Sequence, residues 1–359
     1  MICPHCERNL LRKERPGNVC RHCQREYALD PKTNQLGLND LRVRRIATGL
    51  TDDGRIRIAP DQLWYALSRK PIRDRKPDPG CAGAAIVGAV ISGLLAGFGE
   101  LPFMRYACGA LLALGFGILI VQSMGLNKGF APMSRSAFRD AVLLPWERVY
   151  RALPPGVIDE AGEPWPERAA DAPPPNAVLV CPDPSVAAFL TADGLPERHG
   201  IALVQGPEHV RSSLLAALPP HGPVLVLRDA DARGELLVRH LRASLPGRPV
   251  VDAGVSLRTV RALPKAVPYR DPLHKPAPEE IQRLTALGEF TEEELKWLAR
   301  GWRFPLVGIP PARLLAVVDR LAEQAARRGD AERGKAAETG FMTWPGAAPG
   351  DGPEPAGAP

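Results

Sequence analysis

Two paired cysteine motifs, two long stretches without a charged side chain, and a later alternation of short apolar runs with helical patterns predict a multidomain chain. Its expected parts are a small cysteine-rich module, a two-helix transmembrane hairpin, and a cytoplasmic α/β domain with a parallel sheet and C-terminal helices. At 359 residues there is room for two or three domains. The net charge of +6 is modest for that length, so composition argues for nucleic-acid binding only where the cations cluster. Seven cysteines fall as two CxxC pairs and three singles, a metal pattern and not a disulfide framework. No basic segment followed by an apolar run precedes the first cysteine, so the expected N-terminus is uncleaved and lies in a reducing compartment.

Cys3 and Cys6, then Cys20 and Cys23, place four thiolates on two short knuckles with 13 residues between the pairs. Four cysteines at this spacing suit one tetrahedral zinc ion. The segments CPHC and VCRHCQREYAL resemble the knuckles of zinc-ribbon domains, which implies a structural zinc ribbon over residues 1–40. His5 and His22 lie inside the knuckles but are not needed as ligands, because four cysteines fill the shell and leave no open position for catalysis.

Residues 41–80 read as a basic segment and linker. They hold a strand-like RVRRIA, a turn at Asp52-Asp53-Gly54, a strand-like RIRI and a short helix over Gln62–Ser68, with an extended linker over Lys70–Gly80. Residues 42–76 contain ten Lys or Arg against four Asp, a local balance of +6. Next to a membrane span such a segment is drawn to anionic lipid headgroups. Nucleic acid is the alternative partner, with Trp64 and Tyr65 available to stack on bases.

From Cys81 to Gly99 and from Tyr106 to Asn127 no Asp, Glu, Lys, Arg or His occurs. Each run has roughly the 20 residues needed to cross a bilayer core, so residues 81–127 are expected to form a transmembrane helical hairpin. Cations flank both outer ends, while the connecting loop has Arg105 alone, which puts both termini in the cytoplasm of a two-span cell-membrane protein. Small residues recur every four positions at Ala85, Ala89, Gly93 and Gly97, and again at Gly109, Ala113 and Gly117. Helix faces of this kind favour close packing and a homo-oligomer. The spans offer no ionisable group for a transport pathway.

A connector over 128–175, with an amphipathic helix near Ser134–Arg151, leads to an α/β domain over 176–270. Its strand-like runs are AVLVC, IALVQ, PVLVLR and RPVVDA, separated by helical patterns. Asp229 and Asp231 follow the third run, at the carboxyl end of a parallel strand, where open α/β sheets place ligands. Carboxylates two apart can share one Mg²⁺ ion; equally, they suit the cap of the helix that follows. The stretch Asp229-Ala230-Asp231-Ala232-Arg233-Gly234 matches DxDxxG, and the layout around it resembles the Toprim domain in the version found in the A subunit of type IIB topoisomerases. The resemblance implies a Mg²⁺ site at Asp229 and Asp231. It also implies a glutamate at the end of the first strand, where this chain has Val180-Cys181-Pro182-Asp183 instead. A helical region over 271–329 and a disordered tail over 330–359 complete the chain. A capping box, Thr291 with Glu294, opens one of the helices.

The function expected from these parts is a membrane-anchored, zinc-ribbon-containing cytoplasmic binding or scaffold protein that engages a protein partner without catalysis. The missing glutamate and the closed metal site both favour it. The alternative is a Mg²⁺-dependent Toprim-like enzyme, or a nucleic-acid-binding protein, acting at the inner membrane face. No serine–histidine hydrolase arrangement or glycine-rich phosphate loop is recognisable.

Overall fold

Four short apolar runs pair in parallel, in the order β2-β1-β3-β4: β1 (Ala177–Cys181), β2 (Ile201–Gln205), β3 (Val224–Val226) and β4 (Val250–Asp252). β1 and β3 are buried throughout, as continuous apolar runs in a sheet covered on both faces should be. Alternation sorts their side chains between two layers. Ala177, Leu179, Cys181 and Leu225 join the main core, while Val178, Val180, Val224 and Val226 pack with Val238 and Leu241 of the helix Ala232–Ser244. The computed structural model describes residues 1–74, 129–160, 175–205, 222–262 and 266–338, with six isolated positions between 87 and 117.

The main core draws on distant parts of the chain, from Ala28 to Ala325. Asn39 caps the helix Asp40–Leu50 by accepting a hydrogen bond from the Arg42 N–H. RVRRIA lies inside this helix and is not a strand, because Val43 and Ala47 are the fully buried pair, at helical spacing. The next helix, Pro60–Asp74, buries Leu63, Trp64, Leu67 and Ile72 and continues through residues 70–74, where a linker was expected. Ser134 caps a helical stretch made of Arg135–Phe138, a π-helical turn Arg139–Leu143, and Leu144–Tyr150. These pieces lock together over long sequence distances. Trp64 Nε1 donates to the Met133 carbonyl at 3.0 Å, Tyr65 Oη donates to the Val267 carbonyl at 2.7 Å, and Ile58 pairs with Val157.

Two further strands, β5 (Tyr269–Arg270) and β6 (Trp302–Arg303), pair antiparallel. The helices Pro278–Ala286 and Glu292–Ala299 lie between them. Thr291 Oγ1 accepts from the Glu294 N–H and Glu294 Oε2 accepts from the Thr291 N–H, closing the capping box. The last helix, Pro311–Glu338, buries Leu314, Val318, Ala322 and Ala325 along one stripe against β1 and the helix Leu195–His199. It runs past residue 330, into the region expected to be disordered.

The transmembrane part of the expected fold needs correction. Among the described residues no helix is long and apolar enough to cross a membrane. Pro311–Glu338 has the length, at 28 residues, but carries Arg313, Asp319, Arg320, Glu323 and Arg327 and is built to lie half-buried on the sheet. The described residues therefore give no two-span hairpin and no basis for a multi-pass cell-membrane location. The segments that suggested them, 81–99 and 106–127, lie outside the described residues except for the six isolated positions. The parallel α/β sheet remains.

Candidate functional site

The four cysteines converge. Cys3 Sγ lies 3.8 Å from Cys23 Sγ, and Cys6 Sγ lies 3.8 Å from Cys20 Sγ. All four sulfurs fall within 4.8 Å of one another, close enough to hold a metal ion. The knuckles are built alike. Cys3 N–H donates to the Arg8 carbonyl and Cys20 N–H to the Arg25 carbonyl, while Glu7 and Gln24 both take left-handed φ of 58°. CPHCER and CRHCQR thus form an internal repeat at an offset of 17 residues, which sequence reading overlooked although the pattern CxHCxR is visible in it. His5 Nε2 sits 2.8 Å from the Glu26 carbonyl and His22 Nδ1 lies 3.5 Å from Arg8, so each ring has a partner other than a metal. Burial pushes the Cys3 thiol up to about 12. At Cys20 burial acts in the same direction, but the backbone N–H groups of Cys23 and His22 outweigh it and bring the thiol down to about 7.

The module is tied to the body through Asp40, which is fully buried. Its carboxylate accepts from the N–H groups of Ala28 and Leu29 at 2.9 and 2.8 Å, and from Tyr150 Oη. Arg15 and Asp30 form a buried ion pair at 2.7 Å beside this junction.

A second site lies at the carboxyl end of the sheet. β1 leads on to β2 on one side and β3 to β4 on the other, so the connections diverge between β1 and β3. A cleft of about 630 Å³ opens there, lined by Asp183 after β1 and by Asp229 and Asp231 after β3. The three carboxylates share the cleft, but each already has partners. Asp229 Oδ1 accepts from the Leu306 N–H at 2.7 Å and Oδ2 pairs with Arg303. Asp231 Oδ1 caps the helix Ala232–Ser244 by accepting from the Gly234 N–H at 2.7 Å, and Oδ2 faces Arg303 Nε at 3.6 Å. Asp183 Oδ1 caps the helix Pro184–Ala192, and Oδ2 lies 3.4 Å from Arg135 Nη1. Burial pushes both Asp183 and Asp231 above the usual carboxylate range, opposed by Arg135 in the first case and Arg303 in the second.

Local chain geometry explains how these groups meet. Ala230 and Phe304 exchange two backbone hydrogen bonds, which lays the end of β6 across the turn after β3 and delivers both Arg303 and the Leu306 N–H to Asp229. Gly234 is required where it stands, since a Cβ would meet the Asp229 carbonyl oxygen well inside 3.0 Å. Beside Asp183, Asp61 Oδ2 accepts from Arg135 Nη1 at 2.6 Å and from Ser185 Oγ at 2.9 Å. Glu160 lies close by, and burial pushes it up to about 7, with Asp61 and Asp183 acting in the same sense. Sequence reading missed Arg303, Arg135, Asp61 and Glu160, which are brought in from other elements. Trp64 and Tyr65, considered for base stacking, are each only 2% exposed and belong to the core. Arg44, one of the ten cations of the basic segment, stacks over Tyr150 and Trp146.

Compared with protein-family models, curated proteins and solved structures, the chain finds no match.

Proposed function

We propose that this chain is a non-catalytic binding or scaffold protein with a structural zinc ion at its N-terminus and a ligand cleft at the carboxyl end of its sheet. Zinc suits the cysteine cluster on geometry. Sulfurs about 2.3 Å from a tetrahedral ion stand about 3.8 Å apart, the separation of both close pairs. Cys3, Cys6, Cys20 and Cys23 would hold the ion, whose part is to fold the module and not to activate water, because no ligand position is left open.

The observation that carries the non-catalytic reading is the pairing of Arg303 with Asp229 and its closeness to Asp231. The α/β unit keeps a Toprim-like DxDxxG turn, yet a guanidinium stands where a divalent cation would need free carboxylate oxygens. Seating Mg²⁺ would displace Arg303, 6% exposed, into an uncompensated position. In place of the glutamate implied after β1, Asp183 is engaged as a helix cap and with Arg135.

Metal analysis and thermal melts of the purified full chain test the proposal. The expected result is about one zinc per chain, lost to a strong chelator together with ordered structure around the cysteines, and no Mg²⁺ effect on melting. A Mg²⁺-dependent rise in melting temperature that disappears in an Asp229→Asn/Asp231→Asn variant would return the Mg²⁺-dependent enzyme to first place.

A further inference from the structure

We propose that the cleft binds a phosphomonoester of nucleotide size, its phosphate held between Arg233 and Arg283 and the flat face of its base laid against Leu236, Leu237 and Leu287. The inference rests on the reading of this cleft as the binding site, and it names the ligand class.

Six arginines line the cleft, and four of them are engaged within the fold. Arg135 is held by Asp61, Arg228 by Glu235 and Asp252, Arg303 by Asp229, and Arg239 by Glu235 and Glu289. Two retain capacity for an external anion. The Arg233 side chain is 51% exposed and meets Glu280 at a loose 3.4 Å, while Arg283 is exposed and has no ion pair among the described residues. The lining carboxylates, by contrast, are all engaged: Asp183, Asp229 and Asp231 as described, and Glu280 by the Ala277 N–H at 2.8 Å.

Arg233 and Arg283 rise from two helices that pack on each other, Ala232–Ser244 and Pro278–Ala286. Leu237 follows Arg233 by one helical turn, and Leu287 follows Arg283 by one turn, so each guanidinium has an apolar side chain beside it on the cleft wall. Two guanidinium forks lining one cleft suit a tetrahedral, doubly charged oxyanion, which can accept from both. Leu287 is 40% exposed, an apolar surface that a ligand body would cover. The volume, about 630 Å³, falls in the range of small-molecule sites, and the place is where open parallel sheets bind ligands.

The test is calorimetric titration of the full zinc-loaded chain with adenosine monophosphate and uridine monophosphate, with adenosine and inorganic phosphate as partial ligands. We expect a monophosphate to bind and adenosine to bind about tenfold more weakly or not at all. Inorganic phosphate, lacking the body, should also be weaker. The Arg233→Gln/Arg283→Gln variant should bind the monophosphate about tenfold or more weakly, about 1.4 kcal/mol or more, while its ligand-free melting temperature stays at the wild-type value, since both side chains are exposed. Failure of both monophosphates to bind at millimolar concentration, or equal binding by the double variant, would overturn the proposal. The Mg²⁺ melt separates the two readings. A Mg²⁺ shift with arginine-dependent monophosphate binding overturns only the non-catalytic assignment, and no Mg²⁺ shift with no monophosphate binding overturns only this one.

Discussion

Replacing Arg303 with methionine keeps most of the side-chain volume and removes the charge, which makes the role of the buried pair measurable. In the wild-type chain the guanidinium faces Asp229 directly, Asp231 at 3.6 Å and Asp271 at 3.8 Å. Without it, Asp229, 8% exposed, keeps only the Leu306 N–H. Breaking a buried pair from one side costs about 3–5 kcal/mol, mostly the penalty of the stranded partner. At about 2–4 °C per kcal/mol for a body of this size, the melting temperature should fall by about 6–20 °C. Adding Asp229→Asn should recover about half of the loss or more, because the amide oxygen still accepts from Leu306 and no charge is stranded. Mg²⁺ gives a second readout. With Arg303 gone, Asp229 and Asp231 offer free oxygens, so the single variant should gain a Mg²⁺-dependent rise in melting that the wild type lacks. Thermal and urea melts of the wild type, both single variants and the double variant form the cycle. An Arg303→Met variant that melts within about 2 °C of wild type, or a double variant no better than the single, would refute the argument that this pair closes the site.

Three further outcomes are expected. Gly234→Ala should lower stability by about 1–3 kcal/mol in urea melts, because the added methyl meets a backbone oxygen that cannot rotate away. Glu160 stands at about 7 in the folded chain against 4.5 ordinarily. The folded state therefore keeps a proton that the unfolded chain has released, and stability falls as pH rises from about 4.5 to about 7. Glu160→Gln should remove that part of the decline, matching wild type near pH 4 and exceeding it near pH 8; a variant equally weakened at both would contradict the assignment. Cys20→Ser should abolish stoichiometric metal binding and open the first 30 or so residues to proteolysis while leaving the sheet folded, as read by limited digestion and mass spectrometry.

Much of the fold was legible where structure is locally encoded. AVLVC and IALVQ coincide with β1 and β2, and the runs before Asp229 and around Val250 contain β3 and β4. The capping box at Thr291 marks a helix start, and cysteine spacing alone picks out the four cysteines that converge. The failures have physical reasons. RVRRIA has the composition of a strand, but the buried pair Val43 and Ala47 is set by tertiary packing at helical spacing. Uncharged runs of bilayer length carried the membrane expectation, and apolar length is a signal that the described helices do not bear out. Arg303 could not be found from sequence, since it lies 74 residues beyond Asp229 and reaches it through the Ala230–Phe304 pairing.

The interlocking of Trp64 with Met133 and of Ile58 with Val157 has a consequence for the order in which the chain can fold as it is synthesised. All four members of the cysteine cluster have been made once Cys23 emerges, so the first module can close on local contacts alone. The helix Pro60–Asp74 is made after Asp40–Leu50, but its Trp64 must wait for residue 133, the preceding Ile58 for residue 157, and Tyr65 for the carbonyl of Val267. At about 5–20 residues per second, the interval between residues 74 and 157 is about 4–17 s. Through that interval Leu63, Trp64 and Leu67 can pack only on what has already been made, the helix Asp40–Leu50 with Val43 and Ala47, while the rest of their core is still to come.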